Sequence, residues 1–223
     1  MRILLALWLA SATVRAPAPS YSESIAALDA RRRVLALGLA AEPTARVALL
    51  SSARQAVFHA ITTELLPDWY GTPWDFYGTT ETPGQGAIAC GYFVSTVLRD
   101  AGLKVERAPL AQQASEKIVK TLAAPGDIVR FRNVDPAEVV RGVRAAEGDG
   151  LYVVGMDFHV GFLVLDGTRA DLCHSAWVPP RHVVCEPAVT SPGFQSHYYV
   201  VGPALPDARL EDWLAGRAIP TAR

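Results

Sequence analysis

The sequence predicts an α+β fold in which helices pack against an antiparallel sheet. Helix-like spacing of apolar residues runs through most of the chain up to Leu122, whereas β-like runs dominate from Ile128 onward. The late strands follow one another through short turns, with few connections long enough for parallel crossovers. Between these halves a glycine-rich loop, Pro83-Gly84-Gln85-Gly86, leads into Cys90. Apolar side chains at 93, 94, 97, 98 and 101 then mark one buried helical face.

With 223 residues, half of them hydrophobic, the chain can form one domain with a full core. A net charge of −1 argues against a nucleic-acid surface, and the Arg31-Arg32-Arg33 triplet reads as the solvated face of a helix. Met1-Arg2 followed by the apolar run Ile3–Ala12 reads as a secretory signal over residues 1–16. The run is too short to span a bilayer. The expectation is an exported protein, periplasmic or secreted, without stable membrane insertion once the signal is removed.

Residues 17–66 form an N-terminal helical segment of two helices separated by Pro43. Ser22 or Ser24 is expected to cap the first helix and Thr44 the second, and Pro67 to end the second. The stretch from Asp68 to Gly78 is rich in aromatic and turn residues, as a core-covering loop or a cleft wall would be. The Cys90 helix ends at Ala101-Gly102. A further helix is expected over 109–122, then a turn at Pro125-Gly126-Asp127 into a strand at 128–131. Asp135, Pro136 and Glu138 open another helix as cap, first-turn proline and capping-box partner. Strands are expected at 151–154, 158–165, 172–177, 181–185 and 197–201. Residues 67–206 are expected to form the main domain, and 207–223 a tail with a short helix at 210–214.

The chemistry centres on Cys90. A cysteine in the first turn of a helix meets free amide N–H groups and the positive end of the helix dipole, which favour a thiolate. A thiolate needs a base, and the leaving amine needs a proton source; one histidine supplies both. Of the five histidines, His59 lies beside Phe58 in an N-terminal helix and reads as structural. His159 leads the apolar strand Val160–Val164 and is the candidate base. His174, in the next strand, is placed to orient it, the third role in a triad. No Cys-x-x-Cys or His-x-x-x-His spacing suggests a metal, and no cofactor is implied.

Cysteine at a helix start, a Pro-Gly-Asp-Ile-Val strand, His-Val-Gly-Phe-Leu-Val, and a histidine in the following strand together resemble the NlpC-type cell-wall cysteine peptidases of the papain-like fold. The resemblance covers about residues 67–201. It implies Cys90 as nucleophile, His159 as base, His174 as the orienting residue, and amide hydrolysis through a thioester. It also implies a peptide or peptidoglycan-like substrate. The chain departs from the family at the nucleophile, where Ala89-Cys90-Gly91-Tyr92 stands in place of Asp-Cys-Ser-Gly, and the segment from Asp127 to His159 is expanded. For the oxyanion, the Cys90 backbone N–H is one donor. Gln85 resembles the glutamine that precedes the nucleophile in papain-like enzymes, and Tyr77 the upstream tyrosine of NlpC members. A catalytically inactive binding module and a thiol-dependent acyltransferase are the alternative functions on the same fold.

Cys173 and Cys185 are each six positions from Pro179, so a hairpin centred there sets them opposite one another. A disulfide is expected between them, on the sheet face away from His174 and behind the site. Two buried free cysteines are the alternative if the turn shifts the register by one.

Overall fold

The computed structural model describes residues 19–222, so the expected signal at 1–16 lies outside the described residues. Helix α1 (Tyr21–Ala41) is capped by Ser20 rather than Ser22 or Ser24. Glu23, three residues on, closes the box by accepting the Ser20 N–H at 2.7 Å. Thr44 turns its hydroxyl to Glu42, and a 3₁₀ turn at Pro43–Ala45 enters α2 (Arg46–His59) without a side-chain cap. Pro67 does not end the helical segment. A π-helical stretch at Ala60–Leu65 resets the hydrogen-bond ladder, and Pro67 falls in the first turn of α3 (Leu66–Trp69), where its missing N–H costs nothing.

Helix α4 (Cys90–Asp100) is followed by Gly102 at φ 89°, then β1 (Lys104–Val105) and α5 (Arg107–Ala111). The helix expected over 109–122 is broken at Gln112–Ala114, and α6 (Ser115–Leu122) starts afresh, with Ser115 Oγ donating to the Met156 carbonyl at 2.9 Å. After β2 (Val129–Arg132), α7 (Pro136–Glu147) starts at Asp135, whose carboxylate accepts the Glu138 N–H at 2.8 Å. Then come β3 (Gly150–Met156), β4 (Val160–Asp166), β5 (Arg169–Ser175), β6 (Val183–Pro187) and β7 (Tyr198–Pro203). Helix α8 (Asp207–Ala215) and β8 (Ala218–Ile219) close the described chain.

Strands β2 to β7 form one antiparallel sheet in the order β2-β7-β3-β4-β5-β6, and β1 and β8 make a separate short parallel pair. Side chains alternate across the sheet. On one face Val153, Val160, Phe162, Cys173 and Val200 pack with Phe93, Val94 and Val97 of α4 and with Ile118 and Val119 of α6. On the other, Val154, Leu163, Leu172 and Val201 pack with Val139 and Val143 of α7 and with Phe194. Each large apolar side chain fully buried in these layers contributes about 1.5–3 kcal/mol. The protein is thus α+β, with helices packed against an antiparallel sheet.

The N-terminal helices belong to the first core. Leu28, Leu35, Leu50 and Val57 join the cluster that holds Phe93. The Tyr21 hydroxyl donates to Asp100 at 2.8 Å and accepts from Trp69 Nε1 at 2.9 Å, which ties α1 to the far end of the Cys90 helix. Trp213 of α8 donates to the Ala101 carbonyl at 2.8 Å, holding the same end from another side. No helix among the described residues is long and apolar enough to cross a membrane.

Candidate active site

Cys90 is the first residue of α4, where the backbone N–H groups have no intrahelical acceptors. The backbone before it is held on two sides. Ile88 N–H donates to the Pro73 carbonyl at 2.9 Å, and the buried Ser175 hydroxyl donates to the Ile88 carbonyl at 2.7 Å. Ser175 therefore couples the approach to Cys90 to the strand that carries His174. Gly91 admits a neighbour rather than a substrate: a Cβ there would sit 2.2 Å from the Ala111 carbonyl oxygen, so α5 packs onto the helix only because the side chain is missing.

His159 lies in the turn between β3 and β4, where its carbonyl accepts the Met156 N–H at 2.8 Å. His174 pairs with Val184 inside the sheet. The two rings meet, His159 Nε2 to His174 Nδ1, at 2.7 Å, and both are buried, at 4 % and 0 % exposure. His174 Nε2 faces Glu186 Oε1 at 3.3 Å, and that same oxygen accepts the Ser191 hydroxyl at 2.5 Å. Gly193 closes over His174 so tightly that a Cβ would lie 2.3 Å from its Cε1.

This chain of contacts dictates the tautomers. An ionised carboxylate only accepts, so His174 Nε2 carries the proton given to Glu186. A neutral His174 then accepts at Nδ1, and His159 must donate from Nε2. The remaining nitrogen, His159 Nδ1, is left with a bare lone pair. It is buried and has no hydrogen-bond partner, Cys90 included. Cys90 and His159 nevertheless line the same cleft.

The electrostatics differ from the sequence expectation of a resting thiolate. Burial pushes the Cys90 thiol above its ordinary value and outweighs the lowering by the N–H groups of Val160, Gly91 and Cys90 itself. Burial, and secondly the proximity of His174, lowers His159 to about 3, and burial also lowers His174 against the opposing pull of Glu186. At neutral pH the site therefore rests as thiol and neutral imidazole.

Of the two oxyanion candidates, Tyr77 lines the cleft with Cys90 and His159, whereas Gln85 is exposed in the preceding turn and lies outside the cleft lining. Gly84 and Gly86 beside it adopt φ 72° and 70°, the geometry of a tight turn. Cys173 and Cys185 pair in register and form a disulfide. Cys173 packs in the core that holds Phe93 and Phe162, so the bridge faces the nucleophile helix rather than lying behind the site. His174 occupies the opposite face, reaching His159 past the start of β4, because strand neighbours alternate sides.

Sequence reasoning missed Glu186, Ser191 and Ser175. A carboxylate two positions beyond Val184, the residue paired with His174, was the signal for the first. Among the described residues no group of three or more His, Cys, Asp or Glu side chains converges as metal ligands would. Compared with known protein families, curated proteins and solved structures, the chain matches none.

Proposed function

We propose that the protein is a thiol hydrolase of amide bonds, exported and of the papain-like, NlpC-type class, acting on peptides of the cell wall. One observation supports the reading: His159, with a buried, unpartnered Nδ1 and a ring oriented by a His174–Glu186 pair, lines the same cleft as the one free cysteine of the described residues. An inactive binding module has no use for that orientation. Acyl transfer would need the same dyad and differs in the acceptor that meets the thioester.

His159 Nδ1 accepts the Cys90 proton as Sγ attacks the carbonyl carbon, forming an S–C bond and an oxyanion. The Cys90 N–H at the helix start and the Tyr77 hydroxyl are the donors for that charge. When the C–N bond breaks, His159 returns the proton to the leaving amine. Water then attacks the thioester with His159 again as base, releasing a carboxylic acid and the thiol. Glu186 and His174 are positioning residues: they hold the proton on His159 Nε2, so that Nδ1 remains a base throughout.

The test is digestion of purified peptidoglycan by wild type, Cys90→Ala and His159→Ala, with products identified by mass. New amide cleavage by wild type alone is expected. Equal products from wild type and Cys90→Ala would refute the thiol mechanism.

A further inference from the structure

The cleft at Cys90 has a volume of about 780 Å³ and is walled by six aromatic side chains, Trp74, Phe76, Tyr77, Tyr92, Phe158 and Trp177. None of its 14 lining residues is Asp, Glu, Lys or Arg. Nineteen per cent of the chain is charged, so a surface cleft of this size would ordinarily hold about three such residues. Charges beside the cleft sit against its wall residues and not in its lining: the exposed Arg181 lies 5.9 Å from the Trp74 ring centroid. Arg107 lies under Tyr92, 4.9 Å from the ring centroid, and donates to the carbonyls of Thr79 and Thr80 at 2.8 and 2.9 Å. Asp75 accepts the Tyr77 N–H at 2.8 Å. A smaller cavity of about 260 Å³ also reaches Cys90, and it contains a carboxylate, Asp157.

Phe158, Tyr77 and Phe76 are 92, 84 and 70 % exposed at the rim of this cleft. Phe158 immediately precedes His159 in a turn and contributes to neither core cluster. Phe76 and Tyr77 pack edge-to-face on each other, 5.1 Å between ring centroids, but like Phe158 they lie outside both core clusters. Large aromatic rings held in water beside a nucleophile mark a surface that a ligand covers.

The geometry points to an acyl donor whose acyl half is uncharged and apolar, an alkyl or arylalkyl chain that fills the aromatic cleft while its carbonyl carbon meets Cys90 Sγ. This rests on the thiol-hydrolase reading and narrows it. The cleft lining offers no partner to a charged group, so carboxylate-bearing residues are excluded from the acyl side. The chemistry balances as before: S–C forms, C–N breaks, the thiol proton leaves with the amine, and water regenerates the thiol.

The experiment compares coumarinylamides of acetate, hexanoate, octanoate and 3-phenylpropionate with two charged analogues of hexanoate, the adipate half-amide and 6-aminohexanoate. Full-length wild type, Trp177→Ala and Cys90→Ser are assayed. In wild type kcat/KM is expected to rise about fourfold per methylene from acetyl to hexanoyl, since each buried methylene adds that factor. A terminal carboxylate or ammonium lowers it at least about tenfold relative to hexanoate, because the cleft offers no partner. Trp177→Ala reduces the octanoyl-to-acetyl ratio. A flat series, or charged donors turned over as well as hexanoate, overturns the apolar assignment while thiol chemistry stands, provided Cys90→Ser abolishes turnover. Turnover of no donor overturns the apolar assignment and leaves the thiol reading to the peptidoglycan digestion, whereas turnover that persists in Cys90→Ser overturns both.

Discussion

Mild acid should destabilise the fold through His159. The imidazole takes up a proton near 6.5 when unfolded, but burial and His174 delay that step to about 3 in the folded chain. Its folded pKa is depressed, so the unfolded state binds more protons throughout this window. The stabilising contribution is complete above 6.5 and is lost as pH falls toward 3. One proton over one pH unit corresponds to about 1.4 kcal/mol, so acidification from about pH 6.5 to about pH 4.5 removes about 2–3 kcal/mol. At 4 % exposure the ring has little solvent to screen this effect. His174 is shifted in the same direction by burial and adds its own share to the wild-type slope. Replacing His159 by Asn removes the titrating group while keeping a polar side chain that can face His174. Urea titrations followed by tryptophan fluorescence at about pH 6.5, 5.5 and 4.5 should show the wild type losing about 2–3 kcal/mol more than His159→Asn. Glu116, held down to about 2 chiefly by Lys120 and then Arg130, loses its contribution only as pH falls below the ordinary glutamate value, and equally in both proteins. Identical slopes for the two proteins would mean that the folded site accepts a proton freely, and the argument for a dry, neutral imidazole would fail.

Native protein should take up one iodoacetamide label, on Cys90, and three after reduction and unfolding; the Cys90 rate at neutral pH should be below that of a free thiol and climb with pH, because burial raises the thiol. Fast labelling at neutral pH would instead indicate a thiolate–imidazolium pair. Glu186→Gln should lower kcat about 10–100-fold with KM nearly unchanged, since an amide can donate to His174 and reverse both tautomers; Glu186→Asp should restore part of the loss, and an unchanged kcat in Glu186→Gln would remove the positioning role. Gly193→Ala should displace His174, because the new Cβ would lie 2.3 Å from its ring, and cost about 1–3 kcal/mol of stability along with most activity; full activity would show that the loop yields without moving the histidine.

Local patterns in the chain were enough to locate most elements and to single out Cys90, His159 and His174, which the fold brings to one candidate site. Apolar spacing from Phe93 onward places Cys90 at a helix start, and the apolar runs at Val160 and Leu172 mark neighbouring strands, with His174 inside the second and His159 in the turn that enters the first. The disulfide was readable too, because hairpin register is a matter of counting from the turn. Helix ends were less legible. Ser20, Thr44 and Pro67 each depend on which of several nearby groups wins the backbone, and a π-helical turn has no simple sequence signature. Other properties arise from segments far apart in the chain. Glu186 reaches His174 through strand pairing, Ser175 grips Ile88 across 87 positions, and the aromatic cleft gathers Trp74, Phe158 and Trp177 from three loops. The protonation state of the site belongs to this group as well. The helix start that favours a thiolate is visible in the sequence, but the burial that outweighs it is a sum over everything packed around Cys90. Periodicity is a local property of the chain, whereas desolvation and long-range contacts exist only once the layers have closed.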